Sequence, residues 1–314
     1  MVKSPLTLQS RARGALLGHA CGNALGVPTE FLGSPERIAD VFPGGVRDIV
    51  RHDTPGSPFD DDVAMAMILG EWVTDGARNP QDLLTRWLRW ARADGRGIGV
   101  WTREALDIFA AERRPPTRAE AGGRAGNGAV MRCLPIALAT LASPRNLLSA
   151  TLHTAELTHP EPEASWPAVA VNIAAHCLLH GQRDFLPEVI AALEMQVDVP
   201  LEVLEAVRRV PYGRREDLPI TGPASGYAVH CMEIALWCTH HEPSLERGVV
   251  WLAGAGGDTD TNAAVAGGLM GARDGDGAIP ARWLGALPQR ERIAALAERL
   301  VGGASPSTRE PPRA

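Results

Sequence analysis

The stretch 256–262, Gly-Gly-Asp-Thr-Asp-Thr-Asn, combines two carboxylates and a hydroxyl at a spacing that could bind a cation. Asp258, Asp260 and Thr261 stand directly before the apolar run 263–270. Because this run has almost no polar face, a helix formed by it would be buried. Two acids at the start of a buried helix are costly unless positive charge meets them. The helix N-terminus supplies a partial charge, and a hard divalent cation would supply far more.

A second acidic cluster has the same arrangement in the first part of the chain. Three adjacent carboxylates, Asp60, Asp61 and Asp62, precede the apolar run 63–69. Adjacent carboxylates repel one another and need a counter-charge. Oxygen ligands suit Mg²⁺, Ca²⁺ or Mn²⁺, and no Cys or His stands near enough in the sequence to suggest zinc. We therefore predict that the two helix starts converge on one or two hard metal ions.

A simpler interpretation has to be weighed against the metal site. Asp and Thr are favoured N-cap residues, so an acid before an apolar helix is a common start signal. Each cluster taken alone fits capping better than metal binding. Two clusters that each hold more acids than one cap can use favour the metal.

The composition of the chain restricts the class of protein. Its 314 residues are enough for a large core, and a net charge of −6 without a basic block argues against nonspecific binding to nucleic acid or membranes. The five cysteines form no Cys-x-x-Cys pair, which is typical of buried thiols in a reducing compartment. No apolar run approaches membrane-spanning length. We expect a cytoplasmic protein.

Helical periodicity dominates the sequence. Hairpin signals are missing and aromatic residues make up only 5% of the chain, which disfavours strands. We predict a single all-α domain over residues 1–302 and a disordered tail at 303–314. An irregular, Gly- and Pro-rich loop is expected at 32–59. The segments predicted as helices are 11–26, 62–75, 81–94, 101–112, 129–142, 145–157, 164–180, 186–195, 200–209, 225–239, 245–253, 260–272 and 288–301.

Three glycines in the first helix recur at every fourth position. Gly14, Gly18 and Gly22 therefore lie along one stripe of its surface. Since glycine costs about 1 kcal/mol at each helical site, the stripe predicts a close approach by a neighbouring backbone. Glu30 follows in a turn that contains proline, where it is either a solvated acid or a member of the site.

A glycine-rich segment, 122–128, leads into another predicted helix. Such a loop exposes backbone N–H groups and suits an anion such as a phosphate. It lacks the ending of a P-loop and follows no strand, so a plain flexible connection is an equal alternative. His159 stands near the end of a predicted helix, where it is either a phosphate contact or a cation at the helix C-terminus.

Together these segments resemble the ADP-ribosylglycohydrolase family. The matching segments are 14–30, 60–66, 126–132, 158–159, 226–237, 256–275 and 279–283. The resemblance implies a compact, orthogonal all-helical fold with two Mg²⁺ or Mn²⁺ ions in a central cleft. It also implies hydrolysis of the bond between C1″ of the distal ribose of ADP-ribose and an acceptor. The expected partner is an ADP-ribosylated protein or another ADP-ribose conjugate, and nucleic acid is expected only as such a conjugate.

The resemblance assigns roles to individual residues. The implied metal ligands are Asp60, Asp61, Asp62, Asp258, Asp260 and Thr261. The implied substrate contacts are Gly126, Asn127, Gly128, Met131, Arg132 and His159. Glu30 and Asp61 are the candidate catalytic carboxylates, one of which would act as the general base for a water molecule.

Three positions depart from the family pattern. The family usually has Thr or Ser where Asp60 stands, Thr where Val63 stands, and Asp where Asn23 stands. Asp60 brings the two clusters to five carboxylates against the +4 of two Mg²⁺, so metal binding should persist. Val63 lacks a hydroxyl that would help to orient a ligand or water.

The sequence therefore predicts a Mg²⁺- or Mn²⁺-dependent hydrolase that removes ADP-ribose from a modified acceptor, preferably a protein side chain. The changes at Asn23 and Val63 motivate an alternative. In that alternative the chain is a non-catalytic ADP-ribose-binding protein, or an immunity-type protein that neutralises a toxin. A structural protein that binds neither metal nor ligand is disfavoured by the number of acids.

Overall fold

The computed structural model describes residues 6–50, 58–77 and 79–303, without the side chain of Phe31. Within this part of the chain the regular structure is helical, with one isolated bridge between Gly126 and Tyr227. The all-α prediction is confirmed. The sixteen α-helices of the described residues are α1 (Leu8–Gly26), α2 (Pro35–Val41), α3 (Asp61–Thr74), α4 (Pro80–Ala93), α5 (Val100–Glu112), α6 (Arg118–Ala121), α7 (Leu134–Ala139), α8 (Pro144–Glu156), α9 (Pro162–Leu179), α10 (Leu186–Glu194), α11 (Leu201–Arg209), α12 (Ala228–His241), α13 (Leu245–Ala253), α14 (Thr259–Asp274), α15 (Ala281–Ala286) and α16 (Arg290–Gly302).

Helices α1 and α14 form the centre of the molecule, and their backbones touch. A Cβ atom on Gly18 would lie 2.2 Å from the carbonyl oxygen of Gly267, and one on Gly22 would lie 2.0 Å from that of Ala263. A larger residue at either position would clash with backbone, so only glycine permits this approach. The close contact predicted from the glycine stripe is confirmed, and α14 is the partner.

The central pair is enclosed by other helices. Every residue of α1 from Gly14 to Gly26 is buried, as is every residue of α14 from Thr259 to Arg273. Helices α3, α9 and α12 pack around the pair and are themselves largely buried. Most buried apolar side chains form one continuous cluster, and a small separate cluster surrounds Trp101. All five cysteines are buried free thiols, as predicted.

Two segments differ from the prediction because of proline. The expected loop 32–59 contains α2, where Ser34 caps the helix by accepting from the backbone of Arg37 and Pro35 occupies the first turn. The expected helix 129–142 is broken into a 3₁₀ turn at Asn127–Ala129 and the short α7. Because Pro135 lacks an N–H and disfavours helical backbone before it, the helix starts at that point.

Some predicted features lie at the limits of the described chain. The predicted tail 303–314 falls outside it apart from Gly303, and the part of the loop at 51–57 also falls outside it. The division into one domain and a tail therefore stays a prediction. None of the described helices combines the length and the apolar character that crossing a membrane requires.

Candidate metal centre and glycine loop

The two acidic clusters meet at the N-terminal ends of α3 and α14. Thr261 Oγ1 donates to Asp62 Oδ1 across this junction at 3.4 Å. One oxygen from each of Glu30, Asp60 and Asp260 lies within 4.8 Å of the other two. Residues that stand nearly two hundred positions apart in the sequence thus form a single cluster.

Helix capping does not account for these acids. Asp60 and Asp258 directly precede α3 and α14, and neither side chain makes a hydrogen bond of capping geometry. Asp260 Oδ1 is buried and has no hydrogen-bond partner among the described residues. A buried carboxylate oxygen without a donor is costly, so this position calls for a hydrogen-bond donor, a proton or a cation.

Burial and mutual repulsion dominate the electrostatics of the cluster. Burial raises the pKa of Asp62 and Asp260 well above that of an ordinary aspartate, and the charge of Asp60 raises both further. Burial, followed by the charges of Asp60, Asp258 and Asp61, raises the pKa of Glu30 to about 8. Protons or cations must therefore neutralise the cluster.

Arginine side chains form ion pairs with acids elsewhere in the described part of the molecule. Within the described residues, no ion pair with Arg, Lys or His involves Glu30, residues 60–62, Asp258 or Asp260. The donor set consists only of oxygen, which fits Mg²⁺ or Mn²⁺. The groups whose oxygens lie close enough to hold such ions are Glu30 with Asp60 and Asp260, and Asp60 with Asp61 and Asp62; Thr261 is joined to Asp62. The role of Asp258 as a ligand stays a prediction.

The turn between α4 and α5 closes over the first acidic cluster. A Cβ atom on Gly97 would lie 2.7 Å from Asp61 Oδ1 and 2.8 Å from Asp60 Oδ2, and the φ angle of this glycine is +75°. Only glycine combines that conformation with so close an approach. The sequence analysis missed this turn, although its alternation of glycines at 95, 97 and 99 was an available signal.

Asn23 on α1 connects the acids to one another. Its Nδ2 donates to Asp60 Oδ1 at 2.8 Å and to Asp62 Oδ2 at 3.1 Å. Its Oδ1 accepts from the backbone N–H of Asp60 at 3.2 Å. The sequence marks position 23 only as a departure from a family pattern, and the packing of α1 shows what the amide contacts.

The glycine loop 126–128 lies directly beside the second acidic cluster. Asn127 Nδ2 donates to Asp258 Oδ2 at 2.6 Å, and the backbone N–H of Asn127 donates to the carbonyl of Gly226 at 2.9 Å. Gly226 has a φ angle of +86°, and a Cβ atom there would lie 3.4 Å from Asp258 Oδ2. The loop, the acids and the segment before α12 are therefore held together.

His159 faces this loop as a neutral ring. A Cβ atom on Gly128 would lie 2.9 Å from His159 Nε2, so the approach depends on glycine. Thr158 Oγ1 lies 2.8 Å from His159 Nδ1 and accepts from Arg132 Nη2 at 2.6 Å. The hydroxyl satisfies both contacts by donating its hydrogen to Nδ1, which leaves the ring proton on Nε2. Burial, followed by the charge of Arg132, lowers the pKa of His159 well below its usual value, which disfavours a cationic role at a helix end.

Arg132 and Met131 lie behind the loop. Arg132 is 1% exposed, and its Nη1 donates to the carbonyl of Gly128 at 2.5 Å while its guanidinium lies 4.3 Å from the ring centroid of Trp87. The Met131 side chain is 3% exposed, and its carbonyl oxygen lies 2.6 Å from His19 Nε2. Both residues are shielded from solvent, and Arg132 supports the loop through its bond to Gly128. Their contact with substrate stays a prediction.

Comparison with known proteins identifies the family. The family model described as ADP-ribosylglycohydrolase matches residues 4–309. This chain belongs to the ADP-ribosylglycohydrolase family. The ADP-ribosyl-[dinitrogen reductase] glycohydrolase of Rhodospirillum rubrum is 29% identical to it over 294 residues, which cover 90% of this chain and 92% of that protein. The ADP-ribosylarginine hydrolase Tri1 of Serratia proteamaculans (strain 568) is 28% identical over 302 residues, covering 92% of this chain and 78% of that protein.

Structural comparison leads to the same family. A solved structure described as an ADP-ribosylglycohydrolase-related protein complex superposes with a TM-score of 0.76 at 31% sequence identity, covering 95% of this chain and 99% of that one. The predicted all-helical fold and the predicted family are confirmed, and the central cleft with two metal ions stays a prediction. The predicted enzyme class is confirmed with them, because the family consists of hydrolases that act on glycosidic bonds of ADP-ribose.

Proposed function

We propose that this ADP-ribosylglycohydrolase is a Mg²⁺- or Mn²⁺-dependent enzyme that releases ADP-ribose from an ADP-ribosylated protein side chain. The observation that carries the proposal is the junction of α3 and α14, where carboxylates converge and none of them forms an ion pair with a basic side chain of the described residues. The names of the two relatives, which act on ADP-ribosyl-dinitrogen reductase and on ADP-ribosylarginine, support a protein acceptor.

The acidic cluster would hold two cations. Their ligands would be Asp60, Asp61, Asp62, Asp258, Asp260 and Thr261. Bound ions of this kind supply a Lewis acid that fixes oxygen ligands, here the vicinal hydroxyls of the distal ribose, and lowers the pKa of a water molecule.

Glu30 and Asp61 would move the proton of the attacking water. Asp61 is buried, whereas Glu30 is half-buried. Positive charge in the cluster would lower the pKa of Glu30 from about 8, so its carboxylate would be free to accept a proton at neutral pH. We therefore favour Glu30 as the general base.

The glycine loop would bind the other end of the substrate. The backbone N–H groups of Gly126 and Gly128 and the Nε2–H of His159 are donors that suit the diphosphate and the distal ribose, whereas the N–H of Asn127 already donates to Gly226. Since Asn127 donates to Asp258, the loop that would bind the diphosphate is fixed relative to the acids that would bind the ribose. This connection would place C1″ next to the proton acceptor.

The proposal is tested by incubating the protein with Mg²⁺ or Mn²⁺ and a panel of ADP-ribose conjugates linked through arginine, serine, a nucleic-acid end or a small molecule. We expect free ADP-ribose from a protein-linked conjugate, and no release after chelation. Calorimetry with free ADP-ribose separates the proposal from its alternative. Tight binding without turnover of any conjugate would indicate a non-catalytic binding protein and overturn the proposed function.

A further inference from the structure

The amide of Asn23 occupies the space between the two acidic clusters. Its Nδ2 lies 2.8 Å from Asp60 Oδ1, 3.1 Å from Asp62 Oδ2 and 3.4 Å from Asp260 Oδ2. The side chain is fully buried. Three carboxylate acceptors on one side and the backbone N–H of Asp60 on the other determine which end of the amide carries the nitrogen.

The backbone on either side of Asn23 holds this amide in place. A Cβ atom on Gly22 would lie 2.0 Å from the carbonyl oxygen of Ala263, and one on Gly26 would lie 2.4 Å from the Cα of Asp260. Helix α1 therefore has no room to shift toward α14 at this point. The donor reaches the carboxylates with fixed geometry, because its own backbone is packed against the helix that carries Asp260.

Asn23 and Asp60 contact each other directly. Their side chains are joined by the hydrogen bond of 2.8 Å from Nδ2, and the backbone N–H of Asp60 donates to Asn23 Oδ1 at 3.2 Å. Asp60 is therefore the acid that the amide holds through both of its ends.

We propose that Asn23 is a positioning residue that holds Asp60 and Asp62 as a preformed ligand set for a divalent cation. The amide contributes donors without adding a further negative charge to the cluster. It contacts the candidate ligands and acts on the cation through them, chiefly through Asp60. This inference rests on the metal dependence proposed above.

The test compares two buried asparagines. Asn172 on α9 is also fully buried, and its Nδ2 donates to the carbonyl of Cys133 and to Thr151 Oγ1, away from the acids. N23L and N172L each remove one buried amide of similar size. Mn²⁺ binding is measured on the full-length protein by the loss of the electron paramagnetic resonance signal of free Mn²⁺. We expect N23L to bind Mn²⁺ about 10- to 100-fold more weakly than the wild type and N172L to bind it normally.

Thermal melting of each metal-free protein shows whether the variant is folded. Should N23L not fold, N23A serves as the second variant. Mn²⁺ affinity within threefold of the wild type in a folded variant would overturn the inference and leave the proposed function intact. A wild-type protein that takes up no Mn²⁺ would overturn the proposed metal dependence itself, so the two failures are distinguishable.

A double-mutant cycle tests the route through Asp60. We expect D60A to weaken Mn²⁺ binding and the further effect of N23L in that background to be at least about threefold smaller than in the wild type. Equal effects of N23L in both backgrounds would show that Asn23 acts independently of Asp60. That outcome would overturn the pairing of the two residues.

Discussion

Helix α14 carries charged side chains at both of its ends, and their partners differ. At the C-terminal end, Arg273 donates to the carbonyls of Thr239 and Glu242 at 2.6 and 2.8 Å and to the carboxylate of Asp274 at 2.6 Å. Two residues further on, Asp276 accepts from Arg13 Nε at 2.6 Å. Each buried charge at this end has a partner of opposite charge or a carbonyl dipole.

At the N-terminal end of α14 the acids have mainly neutral partners. Asp258 accepts from the amide of Asn127, and Asp260 lies near the amide of Asn23 with its Oδ1 unpaired. The acid near the C-terminal end of α14 is thus neutralised by arginine, whereas the acids at its N-terminal end remain available to bind a cation. Burial without a counter-charge is unfavourable in the metal-free state, which is the property expected of a cation site.

Removal of the acids at one end is expected to have the largest effect. The variant D258A/D260A should release ADP-ribose at least about 1,000-fold more slowly, because a catalytic metal contributes several kcal/mol to the rate. D276N is the matched control, since it removes a paired acid from the other end of the helix region. Its activity should stay within about twofold of the wild type. Similar losses of activity in both variants would contradict the difference between the two ends.

Two glycine contacts along the α1–α14 interface, one near each end of α14, test the same difference between the two ends. A Cβ atom on Gly14 would lie 2.2 Å from the carbonyl oxygen of Gly271, and one on Gly22 would lie 2.0 Å from the carbonyl oxygen of Ala263. G14A and G22A should each lower the free energy of unfolding by roughly 2–3 kcal/mol, measured in urea. Because only Gly22 adjoins Asn23, only G22A should also weaken Mn²⁺ binding. Unchanged Mn²⁺ affinity in G22A would show that the packing of α1 against α14 does not affect cation binding by the acidic cluster.

The pH dependence of stability should report the unpaired acids directly. Glu30 has an ordinary pKa of 4.5 when unfolded and a folded pKa of about 8, so the folded state binds the additional proton between these values. The free energy of unfolding of the metal-free protein should therefore fall as the pH rises from about 4.5 to 8, and Asp62 and Asp260 act in the same direction. The contribution of Glu30 to this loss of stability is absent below the window and complete above it.

Divalent cations should reduce that slope, because they replace protons as counter-charge. The measurement is urea denaturation at several pH values in chelator and in Mn²⁺. Stability of the chelated protein that rises with pH across this window would show that the acids are neutralised by other groups. A slope that Mn²⁺ does not change would show that the cluster binds no cation.

The smallest effect is expected at the glycine loop. T158V removes the hydroxyl that accepts from Arg132 and contacts His159 Nδ1, so the ring loses its orientation. We expect KM to rise about five- to tenfold, in line with one hydrogen bond of about 1 kcal/mol. T151V is the control, because the Thr151 hydroxyl is equally buried and bonds to Leu147 and Asn172 away from the loop. Equal KM values in T158V and T151V would remove His159 from substrate binding.

The sequence predicted most of the helices but not all of their boundaries. Helices α3 and α14 follow from apolar runs with acids before them, and both are found there. The prediction of a continuous helix around Pro135 was wrong. The apolar composition of this segment fits a helix, but the proline prevents a helix from running through it. The sequence could not predict the contacts of Asn23, Gly97 and Thr158, because the neighbouring residues in the sequence do not indicate which distant residues they contact.

The amino-acid sequence by itself determined the helical class, the buried segments and the residues that could bind a cation or a phosphate. These properties depend on periodicity and residue type, which are local. Only the tertiary structure decided that the amide of Asn23 lies among carboxylates from two helices and that His159 is neutral. Both depend on desolvation and hydrogen bonds created when distant segments, above all α1 and α14, pack against each other.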